Sequence, residues 1–434
     1  MSNSPELKRI LTPAMVWGLG VGYVISGNYF GWNLGLEQGG TLGLAIATGF
    51  VIIMYVTFTF SYAELSCSIP KAGGAFDYAE RALGKDAGFI AGMAQSIEFI
   101  FAPPAIAFAI GSYMNLFFPS IPVIGFSITA YLVFTALNSY GLQAAAVFEL
   151  FVTAIAIGGL LLFSAVVLPD VQWSNMTKNV LPHGIPGIFA AIPFAIWFFL
   201  GIEGVANLAE ETQNPTKAMS VGFLSALFTL IAVCILTFIG AVGVGGWEAV
   251  VYQDNGTSSD SPLPLAMKQV SGSESGLYTT LIIVGLFGLV ASFNGLMLAA
   301  GRSTSEFGRV MFASSFLGKI HSRFKTPSNA LLINMLIGIL ALFTGRTGDV
   351  ITISVFGALT LYCISMVAVL SLRKKEPDLE RPFKVPLFPA FPIIAFIIAI
   401  IALAAIAFYN PMLCGFYVLL MGVSFGLFKW IRKS

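Results

Sequence analysis

Gly201-Ile202-Glu203-Gly204 places a carboxylate between two glycines, inside an apolar run from Ile185 to Leu208 that is long enough to cross a membrane. A charged side chain at that depth is costly, and ionisable residues within membrane spans are functional-site candidates by default. Glycines weaken a helix, and irregular backbone inside a membrane is tolerated only where it is buried or lines a cavity. The stretch therefore predicts a broken membrane helix that forms part of a solute-binding site.

The composition of the chain indicates a membrane protein. Of its 434 residues, 57% are hydrophobic and 10% are charged, and the mean hydropathy is +0.87. Soluble domains carry about 25% charged residues. Apolar stretches of roughly 20 residues, each enough for about 30 Å of hydrocarbon, recur along the chain. Twelve helical spans are predicted, near residues 13–35, 42–66, 87–117, 121–140, 142–168, 186–209, 218–244, 278–301, 328–345, 349–372, 387–408 and 410–430.

Positive charge predicts how these spans are oriented. If the N-terminus is cytoplasmic and twelve spans alternate, all but three of the 22 lysines and arginines fall on the cytoplasmic side. The exceptions are Lys178, Lys268 and Arg346. This bias follows the positive-inside rule, so both termini are predicted to be cytoplasmic.

The first and sixth spans are both interrupted, at the start of two five-span blocks. The first reads Gly18-Leu19-Gly20-Val21-Gly22, then Ser26-Gly27-Asn28-Tyr29-Phe30-Gly31. Interrupted segments at corresponding positions of two halves point to the central site of a transporter. The alternative is helix packing, since glycines recur every four residues from Gly27 to Gly35. Packing alone, however, requires neither Asn28 nor Glu203.

Glu203 would stand at the N-terminal end of the second half-helix, where free N–H groups carry partial positive charge. It either caps that half-helix or acts on a ligand, as counter-ion to a cation or as a carboxylate that takes up and releases a proton. No lysine or arginine lies deep in a span to pair with it, which favours a mobile partner. Ser26, Gly27 and Asn28 would supply a hydroxyl, a close backbone approach and an amide from the first span. The predicted substrate-binding residues are Ser26, Gly27, Asn28, Tyr29, Trp197, Phe199, Gly201 and Glu203.

Aromatic rings near both breaks suit an ammonium group. Cation–π attraction contributes about 2 kcal/mol when the ring and the cation are desolvated. Because the chain has 39 phenylalanines, most rings must serve packing. One or two of Tyr29, Trp197 and Phe199 are predicted to close an aromatic cage.

Three further acids lie in or near spans. Glu64, near the end of the second span, is interpreted as structural. Glu98 in the third span and Glu149 in the fifth are, together with Glu203, candidates for coupling transport to an ion.

Enzyme, metal and cofactor functions have no support in the sequence. A nucleophile-elbow pattern at Gly422–Gly426 lies in the last apolar helix instead of a strand-to-helix turn, so it is a chance match. The four cysteines lack paired spacing and are interpreted as small buried hydrophobes. We therefore predict a non-enzyme without cofactor or metal, whose partners are lipid and a small solute and not nucleic acid.

Several motifs resemble the amino acid/polyamine/organocation transporters. They are Val21–Phe30, Glu64 followed by Pro70–Phe76, Glu203–Glu211 with Asn214-Pro215, and Arg381–Pro386. Within that superfamily, Ile25–Trp32 and Ala191–Phe199 are most similar to the bacterial ethanolamine permeases.

The resemblance implies one transporter domain over residues 1–434. It would contain a five-plus-five inverted repeat, with repeats near 13–168 and 186–372, and two trailing helices near 387–430. The site would lie between the breaks of helices 1 and 6, and transport would proceed by alternating access across the cell inner membrane.

Two departures from that superfamily bear on the substrate and the coupling ion. Amino acid carriers usually read Gly-Ser-Gly where this chain has Ser26-Gly27-Asn28, and Asn28 fills space that a substrate carboxylate would need. Some proton-coupled relatives have a lysine where this chain has Ala156, so coupling through an amine there is unsupported.

The predicted function is a secondary active permease, a symporter or an exchanger. It would import ethanolamine or a similar small primary amine, with a proton or sodium as the coupling ion. The alternatives are a permease for a small zwitterionic amino acid, and a membrane sensor that binds amines without transporting them.

Overall fold

The computed structural model describes residues 9–71, 73–140, 145–309, 314–324 and 326–431. Within them, strand pairing is limited to two isolated bridges, Leu11 with Thr212 and Tyr252 with Ser258. The predicted all-α fold class is confirmed. Some residues used in the predictions lie outside the described ranges: Lys8, Ala72, the first residues of the fifth span, Lys325, Arg432 and Lys433.

The helices follow one another along the chain with short connections. The α-helices are α1 (Pro13–Val24), α2 (Ser26–Tyr29), α3 (Asn33–Ser68), α4 (Ala75–Leu83), α5 (Lys85–Phe117), α6 (Val123–Tyr140), α7 (Ala145–Val167), α8 (Trp173–Thr177), α9 (Gly184–Ala190), α10 (Ile192–Trp197), α11 (Pro215–Lys217), α12 (Leu224–Gly245), α13 (Glu248–Val251), α14 (Pro262–Ser271), α15 (Gly276–Arg309), α16 (Ser328–Leu342), α17 (Thr347–Lys375), α18 (Ala390–Tyr409) and α19 (Pro411–Ile431). Leu168–Asp170 and Ile202–Glu211 are 3₁₀ segments, and Ala218–Phe223 is a π segment.

Ten helical segments of the described chain are long and apolar enough to cross a membrane. The two other predicted spans correspond to the shorter apolar helices α1 and α16. The chain is therefore a multi-pass membrane protein. The division into two inverted repeats stays a prediction.

α5 is the central helix of the bundle. Of its apolar stretch, 83% is buried, compared with 11% for α19. α5 packs against α17, α15, α4 and α6, and one continuous hydrophobic core joins these helices. The third and tenth spans, α5 and α17, therefore lie at the centre of the bundle, while the last span, α19, is peripheral.

The first span is built in pieces. α1 and α2 are followed by a short irregular segment, and the span then continues as the start of α3 up to Gly39. Gly40 turns the chain with φ +62° and ψ −170°, a region open to glycine, and the second span begins there. A Cβ on Gly40 would lie 2.6 Å from the carbonyl oxygen of Val180, so the turn also needs the missing side chain.

Both ends of the described chain lie at one face of the bundle, called here the terminal face. The N–H groups of Ile10 and Leu11 donate to the carbonyl of Glu211, at the end of the sixth span. Near the other end of the chain, Lys429 forms an ion pair with Asp86 at the start of α5. The opposite side of the bundle is called the far face.

A buried ion-pair cluster ties three segments together at the terminal face. The carboxylate of Glu64, with a side chain only 4% exposed, accepts two hydrogen bonds of 2.7 Å from Arg373 of α17. It also accepts the N–H of Val385 at 2.7 Å and lies 3.4 Å from Nε of Arg381. The interpretation of Glu64 as structural agrees with these contacts.

We expect Glu64→Gln to destabilise the fold strongly. Removing one partner of a buried ion pair leaves uncompensated charge and costs about 3–5 kcal/mol. Glu376→Gln is the matched control, because its pair with Arg81 is much more exposed and such pairs contribute about 0–1 kcal/mol. Thermal unfolding of both variants in detergent measures the difference, and equal midpoints would show that the cluster does not stabilise the bundle.

Candidate functional site

The sixth span breaks at Gly201. α9 and α10 form its first half, and Gly201 then adopts a left-handed conformation with φ +95°. The second half, Ile202–Glu211, is a 3₁₀ helix, and a long mid-helix stretch of this kind often marks a functional hinge. Glu203 therefore lies in the first turn after the break, where helix N–H groups lack partners, as the sequence predicted.

Glu203 is fully buried and only partly satisfied. Its Oε2 accepts a 2.8 Å hydrogen bond from the hydroxyl of Tyr362 on α17. Its Oε1 has no hydrogen-bond partner in the described residues. The Tyr362 hydroxyl lies 3.0 Å from that of Tyr55, so a chain of two phenols leads to the carboxylate.

Aromatic rings from three spans pack together beside this carboxylate, and one of them, Tyr362, contacts it. Phe199 lies 5.2 Å from Tyr55, between ring centroids. Tyr362 lies 5.6 Å from Tyr55 and 4.2 Å from Phe58. Phe199 was predicted as a cage residue, whereas the other three were missed. Among 13 tyrosines and 39 phenylalanines, nothing in the sequence distinguishes them.

In the first span, the irregular backbone lies at the end of the predicted stretch. Ser26–Tyr29 form the helical turn α2, and the chain becomes extended at Phe30 and left-handed at Gly31, with φ +86°. The indole N–H of Trp197 donates to the freed carbonyl of Phe30 at 3.1 Å. The side chain of Asn33 accepts the N–H of Gly31 at 3.1 Å. Trp197, on the sixth span, thus stabilises the break in the first span.

Gly27 and Asn28 lie where the first span meets the sixth. A Cβ on Gly27 would stand 2.2 Å from the carbonyl oxygen of Trp197, so only glycine permits this backbone approach. Asn28 is fully buried, and neither its Oδ1 nor its Nδ2 has a hydrogen-bond partner in the described residues. Buried amides are normally paired, so an unpaired one in a binding region is available for a ligand.

Ser26 contacts a residue, Ser292, whose role the sequence did not indicate. Its backbone N–H donates to the hydroxyl of Ser292 on α15 at 3.0 Å, and this hydroxyl donates to the carbonyl of Gly22 at 2.6 Å. The Ser292 hydroxyl therefore stands between the N–H of Ser26 and the carbonyl of Gly22, two groups that would bond directly to each other in a regular α-helix. A serine in an apolar span gives no sequence signal of such a long-range contact.

Tyr29 does not join the aromatic rings beside Glu203. Its hydroxyl donates to the carbonyl of Ala156 at 2.7 Å. Its ring fills the space left by Gly285 and Gly288, where added Cβ atoms would lie 3.3 and 2.7 Å from it. These contacts give Tyr29 a packing role between α7 and α15, and an aromatic cage closed by one or two of Tyr29, Trp197 and Phe199 stays a prediction.

The two remaining coupling candidates lie in different places. Glu98 is fully buried on α5 near Glu203, and neither of its side-chain oxygens has a hydrogen-bond partner in the described residues. Glu149, 3% exposed, lies against the first span instead, and its Oε1 would be 2.6 Å from a Cβ on Gly22. The structure therefore brings Glu98 together with Glu203, and Glu149 with the first helix.

Cavities flank this central region on both faces. The terminal-face cavity has a volume of about 300 Å³ and is lined by Gln95 and Asn207, which lie about one helical turn from Glu98 and Glu203. The far-face cavity, about 390 Å³, is lined by residues that include Glu37, Asp260, Arg346, Asp349 and Thr352.

The far-face cavity is acidic, with three carboxyl groups and one guanidinium in its lining. Burial raises the pKa of Asp260 to about 6, although a hydrogen bond from Thr347 opposes this shift. At neutral pH the far-face cavity therefore attracts cations.

Comparison with known proteins identifies the family. The family model for amino acid permeases matches residues 11–420, so the chain belongs to the amino acid permease family. It is 28% identical to the methylthioribose transporter of Bacillus subtilis, covering 89% of this chain and 86% of that protein. It is 24% identical to the low-affinity putrescine importer of Escherichia coli K12, covering 84% and 81%.

A solved structure shares the fold. A mutant form of the manganese transporter of Eremococcus coleocola aligns with a TM-score of 0.58 at 14% identity, over 100% of this chain and 99% of that one. The protein is a membrane transporter and not an enzyme.

We expect Gly27→Ala to weaken the contact between the first and sixth spans. The added methyl group meets a backbone carbonyl, and overpacking of this kind costs about 1–3 kcal/mol. Gly158→Ala is the control, since its Cβ would meet nothing within 4 Å and the residue faces outward. Thermal unfolding in detergent compares the variants, and an unchanged midpoint for Gly27→Ala would contradict the close approach.

Proposed function

We propose that this amino acid permease imports ethanolamine or a similar small primary amine. The observation that carries the proposal is Glu203, a fully buried carboxylate with one oxygen lacking a partner beside aromatic rings. No arginine, lysine or histidine of the described residues forms an ion pair with it. An ammonium group supplies the missing charge and is attracted by the rings.

The substrate's hydroxyl has a matching group in Asn28. Its unpaired amide can donate to and accept from a hydroxyl, whereas a carboxylate would use only the donor. The acidic far-face cavity and the similarity to a putrescine importer also fit a cationic substrate.

Transport would proceed by alternating access between the two cavities. The broken first and sixth spans would move about a central site formed by Ser26, Gly27, Asn28, Gly201 and Glu203. Phe199 would close it, while Trp197 would shape it by fixing the first break.

The location follows from charge bias. We place the protein in the cell inner membrane with the terminal face, and hence both termini, in the cytoplasm. The far-face cavity would then receive substrate from outside. The two trailing helices, α18 and α19, would follow two inverted repeats.

Uptake of labelled ethanolamine into proteoliposomes tests the proposal. We expect accumulation by the native protein and a loss with Glu203→Gln, because removing one partner of a buried charge pair costs at least about 2 kcal/mol, or roughly 30-fold in affinity. Glu274→Gln, in an exposed outer loop, is the control and should transport normally. Native-like transport by Glu203→Gln would refute the assignment.

The same vesicles separate the alternatives. Competition by unlabelled alanine as strong as that by ethanolamine would favour a zwitterionic amino acid permease, as the family description suggests. Binding without accumulation would favour a sensor. Imposed proton or sodium gradients distinguish a symporter from an exchanger.

Glu149 is proposed to act on the moving part of the first helix, since it contacts Gly22 and not the break at Gly201. We expect Glu149→Gln to lower the maximal uptake rate while leaving the dissociation constant for ethanolamine nearly unchanged. Glu203→Gln should instead change that constant. Equal weakening of binding by both substitutions would place Glu149 at the substrate and contradict this role.

A further inference from the structure

Glu98 and Glu203 form a pair of carboxyl groups, and neither forms an ion pair with a lysine, arginine or histidine of the described residues. Both side chains are fully buried, and the third span approaches the sixth at their level: the ring of Phe99, next to Glu98, would lie 3.4 Å from a Cβ on Gly204, next to Glu203. Neither oxygen of Glu98, and only one of Glu203, makes a hydrogen bond within the described chain. Two acids are therefore buried together, with one hydroxyl group as their side-chain donor.

The other titratable groups that face this pair are phenols. They are Tyr55 and Tyr62 on α3, Tyr362 on α17 and Tyr417 on α19. Phenols are neutral near physiological pH and add no positive charge. Two adjacent carboxylates without a counter-ion do not both stay ionised, so one of them retains a proton.

We infer that Glu98 and Glu203 share one proton in the empty transporter and exchange it for the ammonium group of the substrate. This inference rests on the proposed amine substrate. A primary ammonium remains protonated at neutral pH, so it brings one positive charge. When it binds, the O–H bond of the shared acid breaks, both carboxylates become ionised, and one proton leaves to water. The site carries one net negative charge before and after.

A polar route for the proton that replaces the departing amine lies toward the terminal face. Gln95 precedes Glu98 by three residues and Asn207 follows Glu203 by four, so each lies about one helical turn from its acid. Their side chains meet at 3.4 Å and line the terminal-face cavity. An amine and a proton compete for one pair of acids, and alternating access of that pair to the two cavities makes the transporter an exchanger of ammonium for protons.

Calorimetric titration of the purified protein with ethanolamine tests the inference. Titrations at the same neutral pH, in buffers that differ in ionisation enthalpy, give the number of protons released on binding. We expect about one proton for each ethanolamine bound, and a dissociation constant that falls tenfold for each unit rise in pH below neutrality. Binding with the same enthalpy in both buffers would overturn the proton exchange while leaving the proposed substrate intact.

Glu98→Gln separates this role from a structural one. The variant should still bind ethanolamine through Glu203 but release no proton, and its affinity should no longer depend on pH. Glu274→Gln should release protons like the native protein. Proton release that persists in Glu98→Gln would overturn the pairing. If Glu98→Gln does not fold, the native pH dependence decides. Absence of ethanolamine binding to the native protein would overturn both this inference and the proposed function.

Discussion

The structure depends on the burial of one carboxylate, that of Glu203, in a span with no fixed cation to neutralise it. A regular helix would leave that group without donors, and its desolvation would be prohibitive. The left-handed turn at Gly201 interrupts the helix and exposes backbone N–H groups beside the acid. Tyr362 adds a hydroxyl from the tenth span, and Glu98 approaches from the third. The broken span and the phenol both supply hydrogen-bond donors beside this buried carboxylate.

Close backbone contact holds the break in the first span beside the break in the sixth. Gly27 allows the first span to meet the carbonyl of Trp197, and the indole of the same tryptophan binds the carbonyl of Phe30. One residue of the sixth span therefore contacts the first on both sides of its interruption. Tyr29, packed between the fifth and eighth spans with its hydroxyl bound to the carbonyl of Ala156, fixes the same turn from behind. The first break is held by Asn33 of its own span and by hydrogen bonds from neighbouring spans.

Whether a feature depends on neighbouring residues in the sequence or on distant spans explains what could be predicted from the sequence. The break at Gly201 was predicted because an acid between glycines violates the rules for membrane helices within a few residues. Glu64 was assigned to structure because it stands near a membrane boundary, and its partners proved to be arginines. Tyr362 and Ser292 were missed because their roles arise from contacts more than 150 residues apart. The direction of the Tyr29 side chain, toward the carbonyl of Ala156, could not be predicted, since proximity in sequence to the break does not determine which way a ring points.

The backbone hydrogen bonds between the first and sixth spans at the terminal face limit how these two spans can move relative to each other. Backbone hydrogen bonds join Leu11 to Glu211 and Gln213, so the beginning of the first span is fastened to the end of the sixth. A backbone tether of this kind transmits displacement without relying on side-chain rotamers. In the proposed alternating access, the two half-helices on this side would therefore move together about the pair of breaks, and the terminal-face cavity between them and their neighbours would change width with that motion.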